Sequence, residues 1–268
     1  MAQKGGLGKV ELSVRTCLYV FLMDSRETAV VSEVVSPIGG EELAGAGAMT
    51  IGTTPARQQI ATEFVAEHQR ARIVRALADE IVDHGYRDVT VAGIVKRAGV
   101  ARNTFYSSFA NKEECFLAAS NLAGEEAMRL VSVAVRAAPA EWARQVRAGI
   151  GAFLSYAASE AALARAFVVE SLSAGPEAAD RYERTVRAVA PFFRLGRRES
   201  ASGDKLPPTL EETIVGGIFW VVYQRMVMGR PEELEGLLEE LAEFALTPYL
   251  GAAGARQVAA QGGTAVAR

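Results

Sequence analysis

Two residue types that carry much of protein chemistry are scarce in this chain. Of 268 residues, only two are cysteine and two are histidine. Cys17 and Cys115 lie far apart, which excludes a disulfide framework or a cysteine-based zinc site and suits a reducing compartment. His68 and His84 show no ligand spacing of the His-Glu-x-x-His kind. No metal and no cofactor are therefore expected. Long apolar runs are missing too. Cys17 to Met23 ends at Asp24 with no clean cleavage site after it, and Ile214 to Tyr223 falls well short of the roughly 18 residues of a membrane span. The chain reads as soluble and cytoplasmic, without a membrane partner.

An excess of positive charge is also absent. Lysine and arginine number 29 against 32 acids, a formal net charge of −3. That excludes a protein that coats nucleic acid by bulk charge, but leaves a local basic surface open. The catalytic signatures are missing as well: no Gly-x-Ser-x-Gly elbow and no phosphate-binding Gly-x-x-x-x-Gly-Lys-Ser/Thr occurs. Both histidines fall in the half away from any candidate pocket acid. The chain is not expected to be an enzyme.

What is present is ordinary globular material, 50% apolar and 23% charged, and almost all of it helical in pattern. Residues 1–55 carry no sustained helical period and are expected to be a disordered extension. Met49 offers a second plausible start. Beyond it, Ile73, Leu77 and Ile81, with Val74, Ala78 and Val82, repeat at the helical period. Gly85 sits where a left-handed C-cap is expected, with Tyr86 closing over the last turn. Short helices follow at 90–98 and 101–108, and a longer one from 112. Later helices are expected at 140–158, 161–173, 177–196, 208–229 and 231–248, broken at Pro139, Gly175-Pro176, Ser200 to Pro208 and Gly229-Arg230-Pro231. Residues 251–268 read as a disordered tail. The fold class is all-α.

Residues 71–116 carry most of the functional signal. Thr90 can cap one short helix, and Gly99 supplies the positive φ between two, which is the arrangement of a helix-turn-helix. Ile94, Val100 and Phe105 are placed to bury against Ile73 and Leu77. The free face of 101–108 is small and polar: Ala101, Arg102, Asn103, Thr104, Tyr106, Ser107. Such a face suits entry into a major groove. Charge agrees, since residues 89–112 contain Lys96, Arg97, Arg102 and Lys112 and no acid. The alternative from pattern alone is an ordinary three-helix subdomain with a solvated basic face.

The text Ile73-Val-Arg-Ala-Leu-Ala-Asp-Glu-Ile-Val-Asp-His-Gly-Tyr86, then Val89-Thr-Val-Ala-Gly-Ile-Val-Lys-Arg-Ala-Gly-Val100 and Ala101-Arg-Asn-Thr-Phe-Tyr-Ser-Ser-Phe-Ala-Asn-Lys-Glu-Glu-Cys-Phe116, resembles the tetracycline-repressor (TetR) family of transcriptional regulators. Tyr106, Phe109 and Lys112 fall at the spacing of that family's Tyr-x-x-Phe-x-x-Lys-Glu signature. The resemblance implies a DNA-binding domain over 56–111 and a ligand-binding and dimerisation domain over 112–250. It implies DNA contacts from Thr104, Tyr106 and Lys112, with Thr90 near the backbone and Arg102 and Asn103 at base edges. Three positions depart from the family pattern: Ala101 replaces a capping Ser or Thr, Gly93 an acidic or polar residue, and Ser108 a frequent His.

For the second half, the expectations are a homodimer interface and a pocket. Leu234, Leu237, Leu238, Leu241, Phe244 and Ala245 form one stripe, and Ile214, Ile218, Val221, Val222 and Met226 another, with Gly216-Gly217 permitting close approach. Helices 208–229 and 231–248 from two subunits would form a four-helix interface; the alternative is packing within one subunit. Glu232, Glu233, Glu235, Glu239, Glu240 and Glu243 form a solvated acidic face. Pocket candidates are Phe153, Tyr156, Phe167, Glu170, Trp220 and Tyr223, with Glu170 either facing the pocket, pairing with Arg165 or pointing to solvent. Few polar side chains occur there, so a largely hydrophobic effector is expected. The expected function is a ligand-responsive repressor, with activation as the alternative, binding a palindromic double-stranded DNA operator. The helix from Lys112 is the expected moving part.

Overall fold

The computed structural model describes residues 55–169, 176–200 and 203–261. Expectations for residues 1–54, for Glu170 and for the end of the tail lie outside the described residues. Helices dominate, as expected: α1 (Pro55–His84), α2 (Val91–Ala98), α3 (Arg102–Ser108), α4 (Lys112–Ala137), α5 (Trp142–Ser159), α6 (Ala161–Val168), α7 (Pro176–Arg194), α8 (Leu210–Val227) and α9 (Leu238–Ala260). No strand occurs among the described residues. None of their helices is long and apolar enough to cross a membrane.

The first three helices close on one small core. Ile73, Leu77, Ile81, Ile94, Phe105 and Phe109 are all buried, and Phe116 from α4 completes the cluster. Each large side chain buried this way contributes about 1.5–3 kcal/mol. Tyr86 does close over the end of α1: its ring lies 4.5 Å from that of Phe116, and Gly85 takes φ 75°. Burial pushes the Tyr86 phenol up to about 12, and Glu113 adds to the shift, so this ring stays neutral. One expected member leaves the stripe: Val82 is 49% exposed, with no element among the described residues covering that side of α1's last turn.

Helices α4 to α9 form the second layer of the molecule. α5 and α6 pack against α4, and α6 also packs against α1, so the two halves share an interface. Three expected boundaries change. The 161–173 helix has its regular part end at Val168. The 231–248 helix begins instead as two short 3-10 turns, Pro231–Glu233 and Glu235–Leu237, because Pro231 removes a donor and Gly236 weakens the turn. The expected tail from 251 is helical to Ala260. Gly251, at φ 71°, leaves helical geometry, so α9 is two helical segments joined at a kink there. Ala255, Val258 and Ala259 bury beyond the bend, and Arg147 Nε donates to the Ala259 carbonyl at 2.8 Å.

Candidate nucleic-acid interface and ligand cavity

The local chemistry of α2 and α3 follows from single residues. Thr90 Oγ1 accepts from the Gly93 amide at 3.1 Å and caps α2. Gly99, at φ 62°, ends it in the left-handed region that favours glycine, and Val100 turns back into the core. α3 starts at Ala101 with no side-chain cap. α4 is better closed: Asn111 accepts from the Glu114 amide, and the Glu114 carboxylate accepts from the Ala110 amide.

Phe105 and Phe109 anchor α3 on its inner side, so Arg102, Asn103, Tyr106 and Ser107 are exposed and Thr104 is half-buried. Five of the six residues expected to contact DNA, Thr90, Arg102, Asn103, Thr104 and Tyr106, lie on the two short helices or at their ends. Arg102 lies along Tyr106, its guanidinium carbon 5.6 Å from the ring centroid and Nη2 donating to the hydroxyl at 3.4 Å. The pair presents one positive, hydrogen-bonding surface at the outer edge of α3.

Lys112 is placed differently. Its ammonium donates to the carbonyls of Tyr86 (3.0 Å), Arg87 (3.3 Å) and Val89 (3.0 Å), and sits 4.6 Å from the Tyr86 ring centroid. An ammonium has three donors, and three carbonyls take them. Lys112 ties α4 to the turn between α1 and α2.

The acid-free run also changes meaning. Arg97 Nε donates to Glu80 at 2.6 Å and its Nη2 to Asp83, so acids from α1 neutralise it. Lys96 and Arg102 remain exposed and in no ion pair with a described residue. Two bases, not four, are available on this face.

The apolar cavity lies in the other half. About 80 Å³ in volume, it is bounded by α4, α5, α6, α7 and α8. Phe153 and Phe167 line it, as expected, together with Phe192, Phe193, Phe219 and Met128. Thr185 is the polar side chain among its lining residues. Phe219 packs on both Phe153 (5.1 Å between centroids) and Phe167 (5.9 Å). A glycine shapes the wall: a Cβ at Gly124 would touch the Phe167 ring at 3.4 Å.

Three expected pocket residues are elsewhere. Tyr156 is buried at the junction of the two halves, near the charges of Glu160, Glu126 and Arg75, and burial pushes its phenol well up. Trp220 is 57% exposed and stacks on Tyr223 at 5.2 Å, on the outer side of α8. The sequence reasoning missed Phe219, one residue away. The signal was there: Val215, Ile218, Phe219 and Val222 are one helical stripe, and a shift of one residue turns the side chain by about 100°.

The expected dimer stripes are mostly spent inside the subunit. Ile214, Ile218, Val222 and Met226 are buried, as are Leu234, Leu241 and Ala245. The large apolar side chains left exposed on these two stretches are Trp220, Val227, Met228 and Phe244, beside Gly216, whose Cβ position is open, and Gly217, which abuts the Phe244 ring. Of the six glutamates, all but half-buried Glu243 are exposed. Glu233 pairs with Arg225 and Glu243 with Arg256.

A three-helix unit with a glycine turn, followed by a helical layer enclosing an apolar cavity, defines a helix-turn-helix protein with an appended helical domain. Residues 73–119 match the family model described as "Bacterial regulatory proteins, tetR family", so this part of the chain is similar to that family. It is 29% identical over 126 residues to the HTH-type transcriptional regulator EthR of Mycolicibacterium smegmatis. That match covers 46% of this chain and 58% of the relative, so the chain spans little more than half the length of the curated relative it matches. Among solved structures it is similar to the fatty acid degradation regulator FadR of Bacillus halodurans (TM-score 0.55, 21% identity, 66% of this chain and 97% of that one). It is also similar to FadR of Bacillus subtilis in complex with stearoyl-CoA (TM-score 0.55, 19% identity, 68% and 98%). A γ-butyrolactone receptor gives TM-score 0.52 at 18% identity, covering 74% and 97%. These likenesses establish the fold.

Proposed function

We propose that this chain is a dimeric regulator of transcription that binds a two-fold symmetric DNA operator and is released by an apolar effector. The observation that carries the reading is the outer face of α3. Arg102, Asn103 and Tyr106 stand exposed together on a short helix held rigidly from behind by Phe105 and Phe109. Side chains of this kind at the start of a short helix make base-edge and phosphate contacts in a major groove. Trp220, Val227 and Phe244 give the apolar surface through which a second copy joins, setting two such helices about one helical turn of DNA apart.

The cavity supports the effector half of the reading. Five phenylalanines line it, and α6, which carries Phe167, also packs on α1. An apolar molecule that binds one arrangement of these helices better than another shifts the spacing of the two α3 helices, and only through that difference in affinity. One solved relative is named in complex with stearoyl-CoA, which agrees with an apolar chain as a candidate effector. Whether operator binding represses or activates depends on where the operator lies relative to the promoter.

The test is selection of bound sites from a random double-stranded DNA pool. A symmetric consensus is the expected result, and it reports DNA binding, dimerisation and half-site spacing together. No enrichment would overturn the reading.

A further inference from the structure

The helix that presents these contacts is poorly closed by its own sequence. α3 has seven residues, no side-chain cap at Ala101 and no basic residue in its last turn. An isolated helix of that length is unstable in water, and the last carbonyls of any helix need partners. Two arginines from α1 supply them. Arg70 Nη1 donates to the Ser108 carbonyl, the last residue of α3, at 2.7 Å, and its guanidinium carbon lies 4.1 Å from the Phe109 ring centroid. Arg72 Nη2 donates to the Ala98 carbonyl, the last residue of α2, at 2.5 Å, and to the Gly99 carbonyl at 3.5 Å. Gly99 serves this contact as well as the turn, since a Cβ there would lie 3.1 Å from Arg72 Nη2.

We infer that Arg70 and Arg72 are positioning residues: they cap α3 and α2 from outside and set the angle at which α3 is presented to DNA. Both arginines precede the segment 73–119 that matches the family model, so the recognition unit of this chain extends N-terminally of it. A guanidinium fork suits the task, because it donates to a carbonyl while its plane lies on an aromatic face. Positive charge at a helix C-terminus adds to the effect. The inference rests on the proposed DNA-binding role for its consequence, but not for its geometry.

The test uses the full chain with Arg70→Met, Arg72→Met, the double variant, and Arg70→Lys and Arg72→Lys. Amide hydrogen exchange in the free protein is read first. Exchange speeds up at least tenfold over 102–109 in Arg70→Met and over 91–99 in Arg72→Met, that over Ile73–Ile81 is unchanged, and each lysine variant recovers part of the protection. On the selected operator, each methionine variant binds about tenfold more weakly, the loss expected for a charge-assisted hydrogen bond. The slope of log K against log salt is unchanged. A slope lower by about 0.9 per arginine would make them phosphate contacts and overturn the inference. Unchanged exchange over 102–109 in Arg70→Met, or over 91–99 in Arg72→Met, would also overturn it. Altered exchange in a protein that selects no DNA would leave the clamp standing and defeat the proposed function alone. Should a methionine variant unfold, the lysine variants decide: reduced protection confined to 102–109 or 91–99 supports the clamp, and full protection with an ammonium in place of the guanidinium fork overturns it.

Discussion

Gly93 of α2 stands where the carboxylate of Glu80 in α1 comes to rest. A Cβ at Gly93 would lie 2.5 Å from Glu80 Oε2, closer than any real contact. Glu80 is buried and shares Arg97 with Asp83. The departure from the family pattern at this position is therefore a steric accommodation: glycine lets an ion-paired carboxylate pack between two helices.

The relationship reverses an ordinary rule. Replacing glycine by alanine inside a helix normally stabilises by about 0.5–1 kcal/mol. Here Gly93→Ala must turn the Glu80 carboxylate, whose other oxygen accepts from Arg97 Nε at 2.6 Å, and a net loss of up to about 1 kcal/mol is expected. In a Glu80→Ala background the same substitution should stabilise. Urea denaturation of the four proteins in this cycle measures the reversal; a gain from Gly93→Ala in both backgrounds would refute it.

Lys112 is expected to act on stability before it acts on DNA. Lys112→Ala removes the donors of three carbonyls in the turn from Tyr86 to Val89, two of them in part-buried contacts. A loss of about 2–3 kcal/mol follows. Calorimetry should show a lower Tm, while the salt slope of operator binding stays that of the parent. A stable variant with a shallower slope would restore Lys112 as a phosphate contact.

Arg102 and Asn103 should separate the two kinds of DNA contact. Both are exposed on the free face of α3. Arg102→Ala is expected to reduce the salt slope by about 0.9 if the guanidinium neutralises one phosphate. Asn103→Ala should leave the slope alone and relax preference at one position of each half-site, at about 1–3 kcal/mol. Fluorescence anisotropy at several salt concentrations, on the consensus and on singly altered sites, distinguishes these outcomes.

Glu211 sets an acid limit on the second domain. Its side chain is fully buried, with Arg197 donating at 2.6 and 3.0 Å and the Tyr249 hydroxyl at 3.3 Å. Burial alone would raise its pKa, but the pairing with Arg197 outweighs burial and holds it below the ordinary carboxylate range. A depressed folded pKa gives stability that is complete above the ordinary carboxylate range and is lost as pH falls through the folded value. Stability should thus fall on acidification below that range. Glu211→Gln is expected to cost about 3 kcal/mol at neutral pH and to flatten that fall. Chemical denaturation at a series of pH values checks both.

Much of the recognition unit was legible because its signals are local. Thr90, Gly85 and Gly99 act through backbone geometry within a few residues, and each sits at the helix end it marks. Phe105 was readable from spacing, since one face of a short helix must be buried. Charge was less legible. Arg97 and Lys112 belong to an acid-free run in sequence, but Glu80, Asp83 and the carbonyls that occupy them come from other elements. The same limit applied to α8, where nearly every position is apolar and periodicity alone does not say which stripe is core, cavity or outer surface.

By itself the sequence determined the helical class, the turn between α2 and α3, and the side of α3 left polar. These depend on propensity, capping and period, which act over one or two turns of chain. Only the tertiary structure decided which cations are free, that Phe219 and not Trp220 lines the cavity, and that Arg70 and Arg72 close the helices after them. Those outcomes depend on groups brought together across 10 to 60 or so residues of sequence, where packing and the pairing of buried polar groups, not local preference, select the partner.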